Sequence, residues 1–205
     1  MNADDEKNIK LYESLVTKYG INYRSLDWGS RESQIERFKI LADIGLGDGD
    51  HLLDVGCGLG DLHDWLQNNR PGVIYSGIDI TAAMTAKASE RFPDVAISTN
   101  TIFTLDTSCC SYDYIFASGI FVFREIDPEK YLFSTIEKMF EICKKGIAFN
   151  CLSSWLPNKD IGEFRADPTR VVEYCKSLSP WVVMRHDYHP SDFTIYLYKK
   201  SPGFP

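Results

Sequence analysis

"LLDVGCGLGDL", residues 52–62, is the stretch on which the reading of this chain turns. Leu52, Leu53 and Val55 suit a buried strand, yet glycine follows at positions 56, 58 and 60. Glycine is used where the backbone turns sharply or lets another group approach closely. A glycine-rich bend between strand and helix can cradle a phosphate or admit some other flat or charged ligand. It can also be a tight turn that holds nothing.

Two carboxylates narrow those choices. Asp54 stands inside the strand end just before the glycines, where it would repel a pyrophosphate but accept hydrogen bonds from a cationic amine. Asp79 ends the next strand, "VIYSGIDI", and a carboxylate there can accept bonds from two ribose hydroxyls. The spacing itself is G-x-G-x-G, not the G-x-G-x-x-G of dinucleotide sites.

Outward from this stretch, strand and helix patterns alternate. "DLHDWLQNN" reads as a short helix, and "TAAMTAKASERF" as one opened by Thr81 and stopped by Pro93. "VAIST" and "YDYIFASG" read as strands. Asp127 and Pro128 predict a helix start, and Gly146 predicts its end after Lys144 and Lys145. "IAFNCL" is a fifth strand, and Asp167-Pro168 opens another helix. "WVVMRHDY" and "DFTIYLYK" are strands joined through "HPS", a connector so short that they must pair antiparallel. Before residue 45 the chain reads as helical. Ile9, Tyr12, Val16 and Tyr19 recur at helical spacing, and Ser33 with Glu36 forms a capping-box pattern ahead of Phe38 and Leu41. Strands alternating with helices imply a mostly parallel sheet with helices on both faces and one reversed strand at the end. Ligands of such sheets bind beyond the carboxyl ends of the strands, where the glycine stretch sits.

At 205 residues the chain suits one domain with a substantial core, and 44% hydrophobic and 25% charged residues are ordinary for a globular protein. A net charge of -7 argues against a broad phosphate-binding surface, so no nucleic-acid partner is expected. "MNADDEKNIK" is too polar for a signal peptide, and no run reaches the roughly 18 apolar residues of a membrane span. No membrane partner is expected either. The six cysteines, at 57, 109, 110, 143, 151 and 175, lack C-x-x-C spacing, and several lie in apolar runs. Neither zinc nor a disulfide framework is expected, and the cytoplasm is the default compartment.

"LDVGCGLGDL", "GIDI", "SYDYIFASGIF" and the closing hairpin "DYHPSDFTIYLYK" together resemble the class I S-adenosylmethionine-dependent methyltransferases. The resemblance covers nearly everything from residue 33 to 199. It implies a Rossmann-like, doubly wound, seven-stranded α/β sheet with an antiparallel last strand, and S-adenosylmethionine as cofactor. Residues 1–45 would be a helical cover belonging to the same domain, and residues 46–205 the cofactor-binding part. By position, Gly56, Cys57, Gly58 and Gly60 would lie beside the methionine moiety, with Asp54 near its amino group. Asp79 would hold the ribose, and Ile80 would pack on the adenine. Asn100 stands where the family often has aspartate, and its amide oxygen would meet the adenine amine. Ala117, Ser118 and Gly119 would line the site near the sulfonium. "LDWGSRESQIERF" looks like the cover of small-molecule members, with Trp28, Gln34 and Arg37 approaching from above. Core packing accounts for Trp28 and Phe38 equally well.

In such a reaction the sulfonium carries the driving force, and the protein aligns a nucleophile with the methyl group. A hydroxyl acceptor would want a base; an amine or carboxylate need not have one. His51 precedes the first strand at the wrong end of the sheet, and His63, on the helix after the glycines, is expected to face solvent. His186 and His189 fall on the ligand-binding rim, with Asp187, Tyr188 and Tyr23 as further candidates, although a surface hairpin also carries histidines with no chemical task. Residues 117–120 lack the D/N-P-P-Y/F tetrad of base-methylating enzymes, and Asp113 comes too early for a catechol-type metal site, so no metal is expected. The long "SSWLPNKDIGEFRAD" could cover a substrate through Trp155, Phe164 or Arg165. The expected function is methyl transfer from S-adenosylmethionine to a small-molecule acceptor. The alternatives are a cofactor-binding module without transferase activity and, less favoured, an NAD(P)-dependent oxidoreductase.

Overall fold

Leu52 and Leu53 are neighbours in sequence, yet both are fully buried, because they enter two different cores on opposite faces of one sheet. The computed structural model describes residues 3–105, 112–156 and 162–203. Its strands are β1 (His51–Val55), β2 (Ile74–Asp79), β3 (Ala96–Thr99), β4 (Tyr112–Ala117), β5 (Cys143–Leu152), β6 (Val182–Arg185) and β7 (Asp192–Tyr198). They form one seven-stranded sheet in the order β3-β2-β1-β4-β5-β7-β6. The first five are parallel to their neighbours, and β7 runs antiparallel to both β5 and β6. The reversed strand is thus inserted between β5 and β6, as a closing hairpin requires.

The helices are α1 (Ala3–Tyr19), α2 (Arg31–Ala42), α3 (Asp61–Asn69), α4 (Ala82–Arg91), α5 (Pro128–Ile142) and α6 (Pro168–Leu178), with a 3-10 turn at Tyr23–Leu26. Successive strand side chains point to opposite faces, so each central strand feeds both cores. Leu53, Ile115, Ile147 and Ile195 share a core with Leu132 and Ile136 of α5 and Val171 of α6. Leu52, Phe116, Ala148 and Tyr196 share the other with Phe38 of α2 and Leu62 of α3. This explains why the strands read as continuous apolar runs. Both Asp-Pro signals are realised: α5 starts at Pro128 and α6 at Pro168, where the Asp167 carboxylate accepts from Thr169 N at 2.9 Å.

Two boundary expectations are corrected. Gly146 does not end α5; the helix stops at Ile142, Cys143 turns to extended backbone, and β5 begins at once. Gly146 instead lies opposite Tyr198 in the β5–β7 ladder, where an added Cβ would stand 2.8 Å from the Leu197 carbonyl oxygen. The cap of α2 is Ser30, whose side chain accepts from Ser33 N at 3.0 Å, so Ser33 is inside the helix and the Ser33–Glu36 box does not form. Among the described residues no helix is long and apolar enough to cross a membrane. Cys57, Cys143, Cys151 and Cys175 are buried free thiols, while Cys109 and Cys110 fall outside the described residues.

The chain runs outward from β1 through β2 to β3, then returns to lay β4 on the other side of β1. That reversal opens a crevice at the carboxyl ends of β1 and β4. Gly146→Ala is expected to destabilise the fold by about 1–3 kcal/mol in chemical denaturation, because overpacking against backbone cannot relax by a rotamer change. Gly29→Ala, with nothing within 4 Å of its added Cβ, is the matched control and is expected to be nearly neutral.

Candidate functional site

The bend after β1 needs glycine for three separate backbone reasons. Gly56, Gly58 and Gly60 all have positive φ, at 79°, 52° and 75°. Ile78 of β2 accepts hydrogen bonds through its carbonyl from Gly56 N at 2.8 Å and Cys57 N at 3.0 Å, which folds the bend over the end of β2. Asp79 then locks it. Its Oδ2 accepts from Gly58 N at 3.0 Å and its Oδ1 from Thr81 N at 2.8 Å. Gly60, the last of the three, is the residue from which α3 starts.

Above these strand ends lies a cavity of about 820 Å³, within the usual range for small-ligand sites. Of the residues singled out in the sequence, Asp54, Gly56, Cys57, Asp79, Ile80, Asn100, Ser118 and Gly119 are on its wall. Gly58 and Gly60 are not; they shape the bend from behind, as the Asp79 bond to Gly58 shows. Ala117 is fully buried in the core with Leu132 and Ile136, because the alternation of β4 turns it away from the cavity. Asn100 is on the wall, but its Oδ1 already accepts from Thr101 N at 2.9 Å and from the Thr104 hydroxyl at 2.6 Å. Those bonds take the lone pairs that an adenine amine was expected to use.

Asp54 is only 4% exposed, and its one side-chain partner is the Tyr75 hydroxyl, which donates to Oδ2 at 2.7 Å. Burial raises its pKa to about 7, against the Tyr75 bond that favours the ionised form. Burial also raises the pKa of Asp79, opposed by the Thr81 and Gly58 N–H groups. The two carboxylates repel each other, so each raised value favours a bound cation.

Trp28 and Gln34 reach the wall as expected, and so does Phe38. Arg37 does not. Its guanidinium pairs with Asp192 and covers the outer face of Trp28, 4.8 Å from the ring centroid. Trp28 in turn packs where Gly119 lacks a side chain, 3.3 Å from an added Cβ. The histidines stay away from the cavity. His63 does not face solvent: its ring lies 4.9 Å from Tyr75 and 4.8 Å from Phe92, and burial lowers its pKa. His186 sits between Trp155 and Phe193, and His189 meets Asp192 at 3.2 Å. Asp187 is held by Arg185, Tyr188 by Thr194, and Tyr23 and Arg165 are also off the wall. Trp155 is exposed, Phe164 packs on the core, and residues 157–161 of that long stretch lie outside the described residues.

Several residues that form or brace the wall carried no sequence signal for that task. Asn150 of β5 splints the end of β4: its Oδ1 accepts from Gly119 N at 3.0 Å and its Nδ2 donates to Ser118 Oγ at 2.9 Å. The α1 residues Ile9 and Tyr12 close another wall. That helix is fastened by buried polar groups. Asp4 Oδ2 accepts from Glu125 N and Ile126 N at 3.2 and 3.0 Å, Asn8 donates to the Phe123 carbonyl at 2.9 Å, and Asp5 pairs with Arg124 at 2.6 Å. No group of three metal-ligating side chains gathers among the described residues.

The sheet order, with its reversed strand inside the far edge, and a glycine bend flanked by two carboxylates define a class of nucleoside-cofactor enzyme. A family model described as a methyltransferase domain matches residues 53–146. A Mycobacterium tuberculosis protein whose name assigns it as a methyltransferase is 32% identical over 160 residues, covering 72% of this chain and 92% of that one. The chain belongs to the class I S-adenosylmethionine-dependent methyltransferases. A shorter match, 40% over 55 residues, joins 27% of this chain to 21% of trans-aconitate 2-methyltransferase from Paracidovorax citrulli. Magnesium protoporphyrin IX methyltransferase from Synechocystis PCC 6803, solved with S-adenosylmethionine bound, shares the fold at a TM-score of 0.68. It is 12% identical, and the match covers 98% of this chain and 100% of that one.

Tyr75→Phe tests the electrostatics of this wall. A hydrogen bond to a charged acceptor is worth more than one to a neutral acid. With Asp54 ionised near pH 8, the variant is expected to lose about 2 kcal/mol of stability in urea unfolding. Near pH 5, where Asp54 is protonated, the loss is expected to fall to about 1 kcal/mol.

Proposed function

We propose that the cavity binds S-adenosylmethionine across the ends of β1, β2 and β4, and that its methyl group passes to a small organic acceptor in the space that remains. The observation that carries this reading is the pair of carboxylates, the buried Asp54 and the half-buried Asp79, on either side of the side-chain-free position Gly56. An added Cβ at Gly56 would collide with Ile120, so this wall position admits no side chain. Asp79 accepts a backbone donor on each oxygen and stands on the cavity wall, where vicinal ribose hydroxyls would donate to it. Asp54, with only a phenol beside it, has room for an ammonium group, whose charge would return it to the ionised form. Ile80 offers an apolar face to the base, and Ser118 and Gly119 flank the reacting end.

When bound, the cofactor supplies an activated methyl group on a sulfonium. The chain's own contribution is to hold, orient and exclude water. Among the described wall residues there is no histidine or lysine, and burial raises the Tyr12 phenol above its usual pKa, so Tyr12 is a hydrogen-bond donor and not a base. Alignment therefore carries the catalysis. The names of two similar proteins, which specify magnesium protoporphyrin IX and trans-aconitate, favour a small-molecule acceptor. The acidic balance of the chain and the single cation on the wall favour it over nucleic acid.

S-adenosylhomocysteine is expected to raise the melting temperature, and Asp79→Ala to abolish that shift by weakening binding about 10–100-fold, the worth of charged hydrogen bonds. An unchanged shift in the variant would remove Asp79 from the ribose role. Because Asp54 gains its charge as pH rises through about 7, affinity for the amino-acid end should strengthen from pH 6 to 8, and Asp54→Asn should flatten that dependence. Tight binding with no labelled methyl transferred to any small acceptor would favour the binding-module alternative.

A further inference from the structure

Arg124 is the only lysine, arginine or histidine among the described residues of the cavity wall, and it is 5% exposed. Its Nη1 donates to Asp5 at 2.6 Å, and its guanidinium carbon lies 3.7 Å over the Tyr131 ring. Its Nε, although buried, has no hydrogen-bond partner. A buried charged donor left unmade is costly, and such a group calls for an acceptor. The surroundings set the shape of what that acceptor belongs to. Tyr131 meets Phe103 edge-on at 6.2 Å, Phe103 is 47% exposed at the rim, and Ile120 and Phe123 complete an apolar surface around the cation. Tyr12 lies within electrostatic reach of both Asp79 and Arg124, which puts this corner next to the proposed nucleoside site.

Resting on the proposed function, we infer that the methyl acceptor is a carboxylic acid with an apolar body, anchored by Arg124 through its carboxylate and methylated on a carboxylate oxygen. One oxygen is held by the guanidinium, and the other uses a lone pair to form the new O–CH3 bond. The C–S bond breaks as this forms, and its electron pair stays on sulfur. An anion and a sulfonium cation become a neutral ester and a neutral thioether, and no proton has to be removed. That balance suits a wall that has no histidine or lysine among its described residues to take a proton from an alcohol or a protonated amine. The other wall carboxylates do not compete for the anchor. Asp61 is held by Arg91 at 2.8 Å and Arg31 at 3.3 Å, Asp54 and Asp79 keep the partners described above, and Glu13 is exposed.

The test uses benzoate, cinnamate, octanoate and citrate, each beside its neutral amide, with tritiated-methyl S-adenosylmethionine. At least one acid is expected to gain label that alkali releases as methanol, and the amides none. Calorimetry on the protein saturated with S-adenosylhomocysteine should show that acid binding. Arg124→Gln should raise its KM at least tenfold and erase the preference over the amide, while kcat changes less and S-adenosylhomocysteine affinity stays within twofold. Arg124→Lys should recover part of the KM, and Asp5→Asn, which relieves the competing carboxylate, should lower it. If S-adenosylhomocysteine binds but none of the acids is labelled, if the label is alkali-stable, or if Arg124→Gln leaves the acid preference intact, the inference is overturned. Failure of S-adenosylhomocysteine to bind the unaltered protein would instead overturn the underlying functional reading.

Discussion

The carboxylate of Asp79 is the clasp that the site depends on. Through Gly58 N and Thr81 N it ties the bend after β1 to the turn that opens α4. Two strand ends are thereby held at fixed separation, and the Ile78 carbonyl adds two more bonds to the same seam. The left-handed backbone of the three glycines is affordable only because glycine lacks a Cβ, and it becomes a single conformation only because these bonds select it. Every other wall element is positioned relative to that seam.

The electrostatics follow from the same economy of space. Two acids stand close together at the ends of adjacent strands, and desolvation raises the pKa of both, a cost that a bound cation would offset. On the same wall one guanidinium is set against an aromatic ring and a single carboxylate. The cavity therefore offers both signs of charge to a ligand that carries both.

The sequence announced the parts of this design that are local. Strand and helix periods, both Asp-Pro starts and the triad of Asp54, Gly56 and Asp79 come from short segments whose residue types already state the task. What it concealed is non-local. Asp5 and Arg124 are 119 residues apart, and nothing in an acidic first turn distinguishes a buried ion pair from the ordinary preference of helix starts for negative charge. His63 reads as a surface residue until the end of α4 brings Phe92 over it. Gly146 reads as a helix stop because the sequence cannot reveal that a backbone carbonyl of β7 lies against it. Ala117 is next in sequence to the wall residues Ser118 and Gly119, yet it is still inside β4 and its side chain enters the core.

The way α1 is attached has a bearing on the cavity. Of its buried residues only Val16 is apolar; Asp4, Asp5 and Asn8 do the fastening. These contacts are buried and directional, so salt screens them far less than a surface pair. Because Ile9 and Tyr12 of this helix line the cavity, a substitution that loosens Asp4, Asp5 or Asn8 would be felt by a bound ligand before it is felt by the sheet cores.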